Sequence, residues 1–230
     1  MALIGAGAFL PSMLELDREL LAATGVARPR VVVLGTAHAH SSGATARDVE
    51  TAIAHLTGLG AEVEPVVIPE GVVDGDDVAI QALGEADAIY LSDGRRRRLC
   101  DLLTGTRLGA TIITAHSRGA VVVGCTAGAA VLAVRQAHLR ARVLPWPVAW
   151  RPALGLLPDA VVIPDYDRVP EPLVAALALQ APHGAAVLGI DSGAALVGRD
   201  GAWQVHGPGR VTVWRSRHRR RYRRGDVFQI

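Results

Sequence analysis

Short runs of β-branched residues alternate along the chain with longer stretches rich in alanine and leucine. That is the pattern of strands and helices taking turns around a mostly parallel sheet. Met1 to Ile4 reads as a strand entering the Gly5-Ala6-Gly7 turn, and Met13 to Thr24 has helical spacing with Ser12 and Glu15 set as a capping box. Arg30 to Gly35 (RVVVLG) is a continuous apolar run, as a strand buried on both faces requires. Thr45 to Thr57 reads as a helix, Val63 to Ile68 as a strand, Val78 to Leu83 as a short helix and Ala88 to Leu91 as a strand. After an Asp93-Gly94 turn, Arg97 to Thr104 begins a helix. Gly119 to Gly124 (GAVVVG) is a buried strand, and Thr126 to Ala137 is a helix leaving it.

Past residue 145 the texture changes. Prolines at 145, 147, 152, 158, 164, 170 and 172 interrupt the chain, which predicts a loop-rich rim and not a linker. Pro172 to Gln180 returns to helix. Ala186 to Ile190, Ala194 to Val197, Trp203 to Val205 and Arg210 to Trp214 read as short strands between glycine turns, expected to be antiparallel. With no internal repeat and no composition break, the expectation is a single domain over 1–230.

Composition narrows the function classes. Half of the 230 residues are apolar, which excludes a disordered chain. No uncharged apolar run reaches about 18 residues and no basic leader precedes a short apolar segment, so neither a membrane span nor a secretory signal is indicated. A cytoplasmic protein with no membrane partner is expected. The net charge of +2 is too small for a nucleic-acid partner, although all 24 cationic residues are arginine and eight of them fall between Arg210 and Arg224. Cys100 and Cys125 are too few for a metal cage, and no metal or cofactor is expected.

The chemistry-bearing segment is Gly124-Cys125-Thr126-Ala127-Gly128. A strand ending in glycine-x-nucleophile-x-glycine before a helix is the sequence form of a nucleophile elbow, in which glycines allow the sharp turn that lifts the central side chain above the sheet. Thr126 is the elbow residue, and the backbone N–H of Ala127 faces the place where an oxyanion would develop. Cys125 is expected to point into the core.

Several segments in the same order resemble the peptidase E and cyanophycinase family, serine-hydrolase relatives of class I glutamine amidotransferases. They are Leu3 to Gly7, Pro29 to Thr36, Ala86 to Gly94, Leu103 to Thr106, Gly119 to Ala130, Gly155 to Arg168, Leu188 to Val197 and Trp203 to Val211. The resemblance implies a flavodoxin-like, doubly wound sheet with the elbow at the carboxyl ends of its strands. It also implies hydrolysis by an elbow serine, a downstream histidine base and an acid that orients the histidine. A homodimer is implied in the same way.

This chain departs from that machinery at each step. Thr126 stands where the family has serine, and its extra methyl group restricts χ1 at the point of attack. The family's Pro-His-Tyr/Phe-Asp motif reads Pro164-Asp165-Tyr166-Asp167 here, which puts an aspartate at the base position. The stretch between Asp101 and Asp159 holds no acid, so the orienting carboxylate is missing. Ser192 replaces the acid of the Gly-Ile-Asp-Glu motif, and Asp93-Gly94-Arg95-Arg96 replaces a Gly-Gly followed by a polar pair. Gly94 and the Ala127 N–H remain as oxyanion donors.

The expectation is therefore a catalytically degenerate homologue that keeps a pocket for a small-molecule or peptide ligand. The alternative is a hydrolase or acyltransferase in which Thr126 attacks, assisted by Asp165 or by His38 or His40. Those two histidines follow the Arg30 to Gly35 strand on the ligand-binding side of such folds. Together with Arg95, Arg96, Tyr166, Asp167 and Ser192 they make up the candidate ligand-binding set.

Overall fold

The apolar run beginning at Arg30 folds as a strand in which Val31 and Val33 face one side and Val32 and Leu34 the other, with all four buried. A strand covered on both faces needs helices on both, and this one has them. The computed structural model describes residues 1–36, 42–69, 71–72, 74–92, 94–138, 148–199 and 201–230. The first half of the chain gives β1 (Ala2–Ile4), α1 (Leu14–Ala22), β2 (Arg30–Thr36), α2 (Ser42–Gly58), β3 (Glu62–Ile68) and α3 (Asp77–Glu85). It continues through β4 (Ala88–Leu91), α4 (Arg96–Leu103), α5 (Arg107–Ser117), β5 (Val121–Cys125) and α6 (Ala127–Leu132). β6 (Arg135–His138), β7 (Ala149–Pro152), β8 (Ala160–Pro164), α7 (Glu171–Leu179) and β9 (Ala186–Ile190) follow. The chain ends in β10 (Ala195–Arg199), β11 (Ala202–His206), β12 (Val211–Arg215), β13 (His218–Tyr222) and β14 (Val227–Gln229).

Among the described residues the main sheet has eight strands in the order β14-β11-β10-β1-β5-β4-β2-β3. The five from β1 to β3 are parallel, and β10, β11 and β14 add an antiparallel wing. The order reverses direction at β2, which has β3 on one side and β4 on the other, as in flavodoxin-like doubly wound sheets. Helices α1 and α2 cover one face through Leu16, Leu20, Ala52 and Leu56, while α3 to α6 cover the other through Leu83, Leu99, Ile112 and Val131. A second sheet, β13-β12-β9-β8, packs Val162 and Leu188 onto that same core and Val161, Val187 and Trp214 against α7. Among the described residues no helix is long and apolar enough to cross a membrane.

The structure corrects several expected boundaries. The helix after the elbow stops at Leu132 and not at Ala137. The carbonyls of Val131, Leu132 and Ala133 accept N–H groups of Leu154, Leu157 and Gly155, and the chain then leaves as β6 to pair with β7. Tertiary hydrogen bonding overrides the helical bias of an alanine-rich stretch. The proline-rich rim carries β7 and β8, each with a proline as its last residue, where one lost donor is tolerated.

α5 is masked in the sequence by Gly109, Ile112, Ile113 and two threonines, all weaker helix formers. Its start is fixed by the Thr106 side chain, which accepts from the Gly109 N–H at 3.2 Å. The Ser12–Glu15 capping box does not form. α1 is entered through a short 3-10 turn at Pro11–Met13, and Glu15 pairs with Arg18 instead. The late strands expected to be antiparallel pair so, β9 with β12 and β10 with β11, while β9 also runs parallel to β8.

Candidate active site at the elbow

β5 delivers Thr126 at its carboxyl end with φ 48° and ψ −103°. A β-branched residue at positive φ is strained by roughly 1–3 kcal/mol, and such strain persists only where the surroundings enforce it. Here the flanking glycines enforce it. A Cβ on Gly124 would lie 2.6 Å from the Ala129 backbone nitrogen, and one on Gly128 2.3 Å from the Leu91 carbonyl oxygen. α6 therefore lies directly on β5 and β4, and the chain has to turn sharply between them. The Thr126 N–H donates to Ile4 O at 2.9 Å, and its carbonyl accepts from Ala130 N at 3.2 Å.

Among the described residues the Thr126 hydroxyl has no hydrogen-bond partner. Ala127 opens α6, so its N–H has no acceptor within the helix. Gly94 follows the carboxyl end of the neighbouring strand β4, and Arg95 is the exposed residue that precedes α4. Cys125 is buried in the core, as its alternation with Thr126 requires.

Asp165 leaves β8 in a left-handed conformation, φ 50° and ψ 39°, which aspartate tolerates better than most residues. Its Oδ1 accepts from the Ser192 hydroxyl at 2.9 Å. Asp167 Oδ1 accepts from the Ser192 N–H at 2.7 Å and lies 3.0 Å from the same hydroxyl. Burial pushes the Asp167 carboxyl up, but the donors on Ser192 outweigh it and leave the group below the usual carboxylate value.

Ser192 is tied in turn to the exit of β1. Residues 6 and 192 form a bridge, the Gly193 N–H donates to Ala6 O at 3.0 Å, and a Cβ on Gly5 would meet Asp191 O at 2.3 Å. The end of β1 thus contacts the elbow through Ile4 and the Ser192 cluster through Ala6.

The remaining candidates fall elsewhere. Tyr166 is a core residue. Its ring lies against Gly189, and its hydroxyl accepts from Trp214 Nε1 at 3.0 Å. Arg96 turns into a cavity beside β6 and β7 that Thr126 does not line. His38 and His40 lie outside the described residues. A cavity of about 720 Å³ lined by Met1, His116, Val121 and Asp159 opens at the amino ends of the strands, the wrong end for the elbow.

One polar cluster was missed by reading the sequence for motifs. Asp17 is fully buried and is bonded to His55 Nε2 at 2.9 Å and to the Tyr90 hydroxyl at 2.9 Å, with Phe9 packed on both rings. Burial raises the Asp17 carboxyl above its ordinary value despite these two partners. The signal was present: Asp17 sits in the same apolar stripe of α1 as Leu16, Leu20 and Leu21.

Comparison with known proteins fits this architecture. No curated protein matches the chain. Among solved structures, a peptidase from an acI-B1 Actinobacterium is 24% identical with a TM-score of 0.84, the match covering 100% of this chain and 96% of that one. A peptidase E-like protein from Listeria monocytogenes EGD-e is 17% identical with a TM-score of 0.60, covering 96% of each chain. At those identities the two structures bear on the fold alone. The model of peptidase family S51, in contrast, matches residues 1–206, which include the elbow and the Asp165 and Ser192 segments. The chain belongs to peptidase family S51.

Proposed function

We propose that this protein is a catalytically degenerate member of its family that uses the elbow region to bind a small-molecule or peptide ligand. The observation that carries this reading is the engagement of Asp165 with Ser192, 2.9 Å away, while the Thr126 hydroxyl has no partner among the described residues. Nucleophilic catalysis needs a base within hydrogen-bond reach of the attacking hydroxyl. Cytoplasmic residence belongs to the same reading: with two cysteines in 230 residues the chain does not rest on a disulfide framework. So does a homodimer, which the family resemblance implies and sedimentation would check.

A second reading rests on the strain at Thr126. A β-branched residue held at φ 48° keeps a nucleophile-like presentation. In that case Thr126 attacks an aspartyl-peptide-like or amide substrate, in hydrolysis or acyl transfer.

An assay with an aspartyl-anilide and a dipeptide panel separates the two. The degenerate reading expects no turnover by the wild type or Thr126→Ala, and turnover emerging in Thr126→Ser/Asp165→His. Wild-type turnover that vanishes in Thr126→Ala establishes the second reading and ends the first.

A further inference from the structure

A second cavity, of about 690 Å³, lies between α4 and the β6–β7 pair. Arg96 and Cys100 on α4 and Thr104 just past its end follow one another at four-residue steps along one side. That side faces the strands: Cys100 Sγ donates to Pro152 O at 3.2 Å and lies 3.3 Å from Thr104 Oγ1. Gln136 and Arg151 are directly opposed across β6 and β7, so their side chains emerge on one face. Both line the cavity with Arg96, Arg97 and Asp101.

Among the described residues that line this cavity, arginine outnumbers acid. Asp101 is the one acid among them, and that carboxylate is 3.9 Å from Arg97 at the rim. Arg96 and Arg151 have no ion-pair or hydrogen-bond partner among the described residues. The sequence between Asp101 and Asp159 contains no acid, so neither β6, β7 nor the residues joining them supply one. Burial holds the Arg96 guanidinium below its ordinary value. An arginine does not shed its proton near neutral pH, so a guanidinium partly withdrawn from water gains most by meeting an anion.

We propose that this cavity binds a phosphate group, with Arg96 on the α4 wall and Arg151 on the strand wall each supplying paired N–H donors. The Gln136 amide adds a further donor. A phosphate monoester carries a charge of about −1.5 to −2 and three acceptor oxygens, which suits two guanidinium groups on opposite walls better than a single carboxylate does. The volume exceeds what phosphate alone fills, leaving room for the organic part of an ester. The site is distinct from the elbow, and its occupancy does not depend on whether Thr126 is catalytic.

The test is calorimetric titration of the full chain at low salt with inorganic phosphate, glycerol 3-phosphate and succinate. The expected result is binding of both phosphates and a weaker response to succinate. Tighter binding of the ester identifies a phosphorylated molecule as the ligand, and equal binding identifies the free anion. Arg96→Gln and Arg151→Gln should each weaken phosphate binding about tenfold or more, as loss of a charge-assisted pair of hydrogen bonds does. Arg220→Gln, an exposed strand position outside the cavity, should leave it unchanged. Arg151 is exposed, so Arg151→Lys provides a variant that does not burden the fold; it should retain part of the affinity because it keeps the charge and loses the fork. The proposal is overturned if neither phosphate binds, if succinate binds as tightly as phosphate, or if the Arg96 and Arg151 variants bind like the wild type.

Discussion

Ser192 Oγ lies 2.9 Å from Asp165 Oδ1 and 3.0 Å from Asp167 Oδ1, so one hydroxyl proton serves two carboxylates. Position 165 is thereby tied to position 192 by a side-chain hydrogen bond.

Ser192→Ala tests that coupling. Without the hydroxyl, Asp167 keeps the N–H groups of Ser192 and of its own backbone and the nearby Arg168 charge, and its carboxyl should rise part of the way toward the ordinary 3.8. The sign follows from the native shift. A carboxyl held below its unfolded value stabilises the fold above about pH 4, and that contribution is lost as the pH falls through the lower folded value. Carboxyl-carbon NMR titration of wild type and variant reads the change directly. An unmoved Asp167 would show that the hydroxyl is spent on Asp165 alone.

Thr126→Gly should make the protein more stable. Release of a strained β-branched elbow returns roughly 1–3 kcal/mol, against a loss of up to about 1 kcal/mol for the added freedom of glycine in the unfolded chain. The net expectation is a gain of about 1 kcal/mol, visible in a denaturant melt as a higher midpoint with an unchanged slope. A lower midpoint would mean that the Thr126 side chain contributes more to packing than its backbone costs.

Gly128→Ala should be severe. The new methyl would sit 2.3 Å from the Leu91 carbonyl oxygen and 2.8 Å from its Cβ, and backbone cannot step aside as a side-chain tip can. Overpacking of this kind costs about 3 kcal/mol. The same melt measures it, and a loss below about 1 kcal/mol would show that α6 slides easily on β4.

These contrasts explain what was legible in the sequence. The elbow could be read from Gly124, Thr126 and Gly128 because its steric demand is local: two close backbone approaches require two glycines at fixed spacing. The buried strand at Val31 to Leu34 was legible for the same reason, since each residue has a wall to meet. β6 was not. Its path is decided by carbonyls of Val131 to Ala133 captured by residues more than 20 positions later, a distance that no propensity reports. Tyr166 and Arg96 were placed near the right loops, but whether a side chain turns toward the elbow or away from it depends on Trp214 and on the β6–β7 face.

Asp17→Asn should change the pH response of stability. Because burial raises the native Asp17 carboxyl, its contribution is complete below the unfolded value near 3.8 and is lost as the pH rises through the higher folded value. Asparagine mimics the protonated acid in shape and in its ability to bond Tyr90 and His55. The stability difference between wild type and variant should therefore shift against the wild type as the pH rises from 4 to 8. A constant difference across that range would mean that Asp17 stays in one protonation state throughout.

The three residues of β1 hold a place out of proportion to their length. They pair with residues 123–125 on one side and 195–197 on the other, joining the parallel strands to the antiparallel wing. During synthesis β1 thus waits for β10, far along the chain, before its slot exists. Contacts so far apart in sequence make for slow closure of the sheet. Until that closure the elbow lacks the Ile4 carbonyl that anchors it, so a shortened or stalled chain would carry the whole Gly124 to Gly128 motif without the shape that gives it meaning.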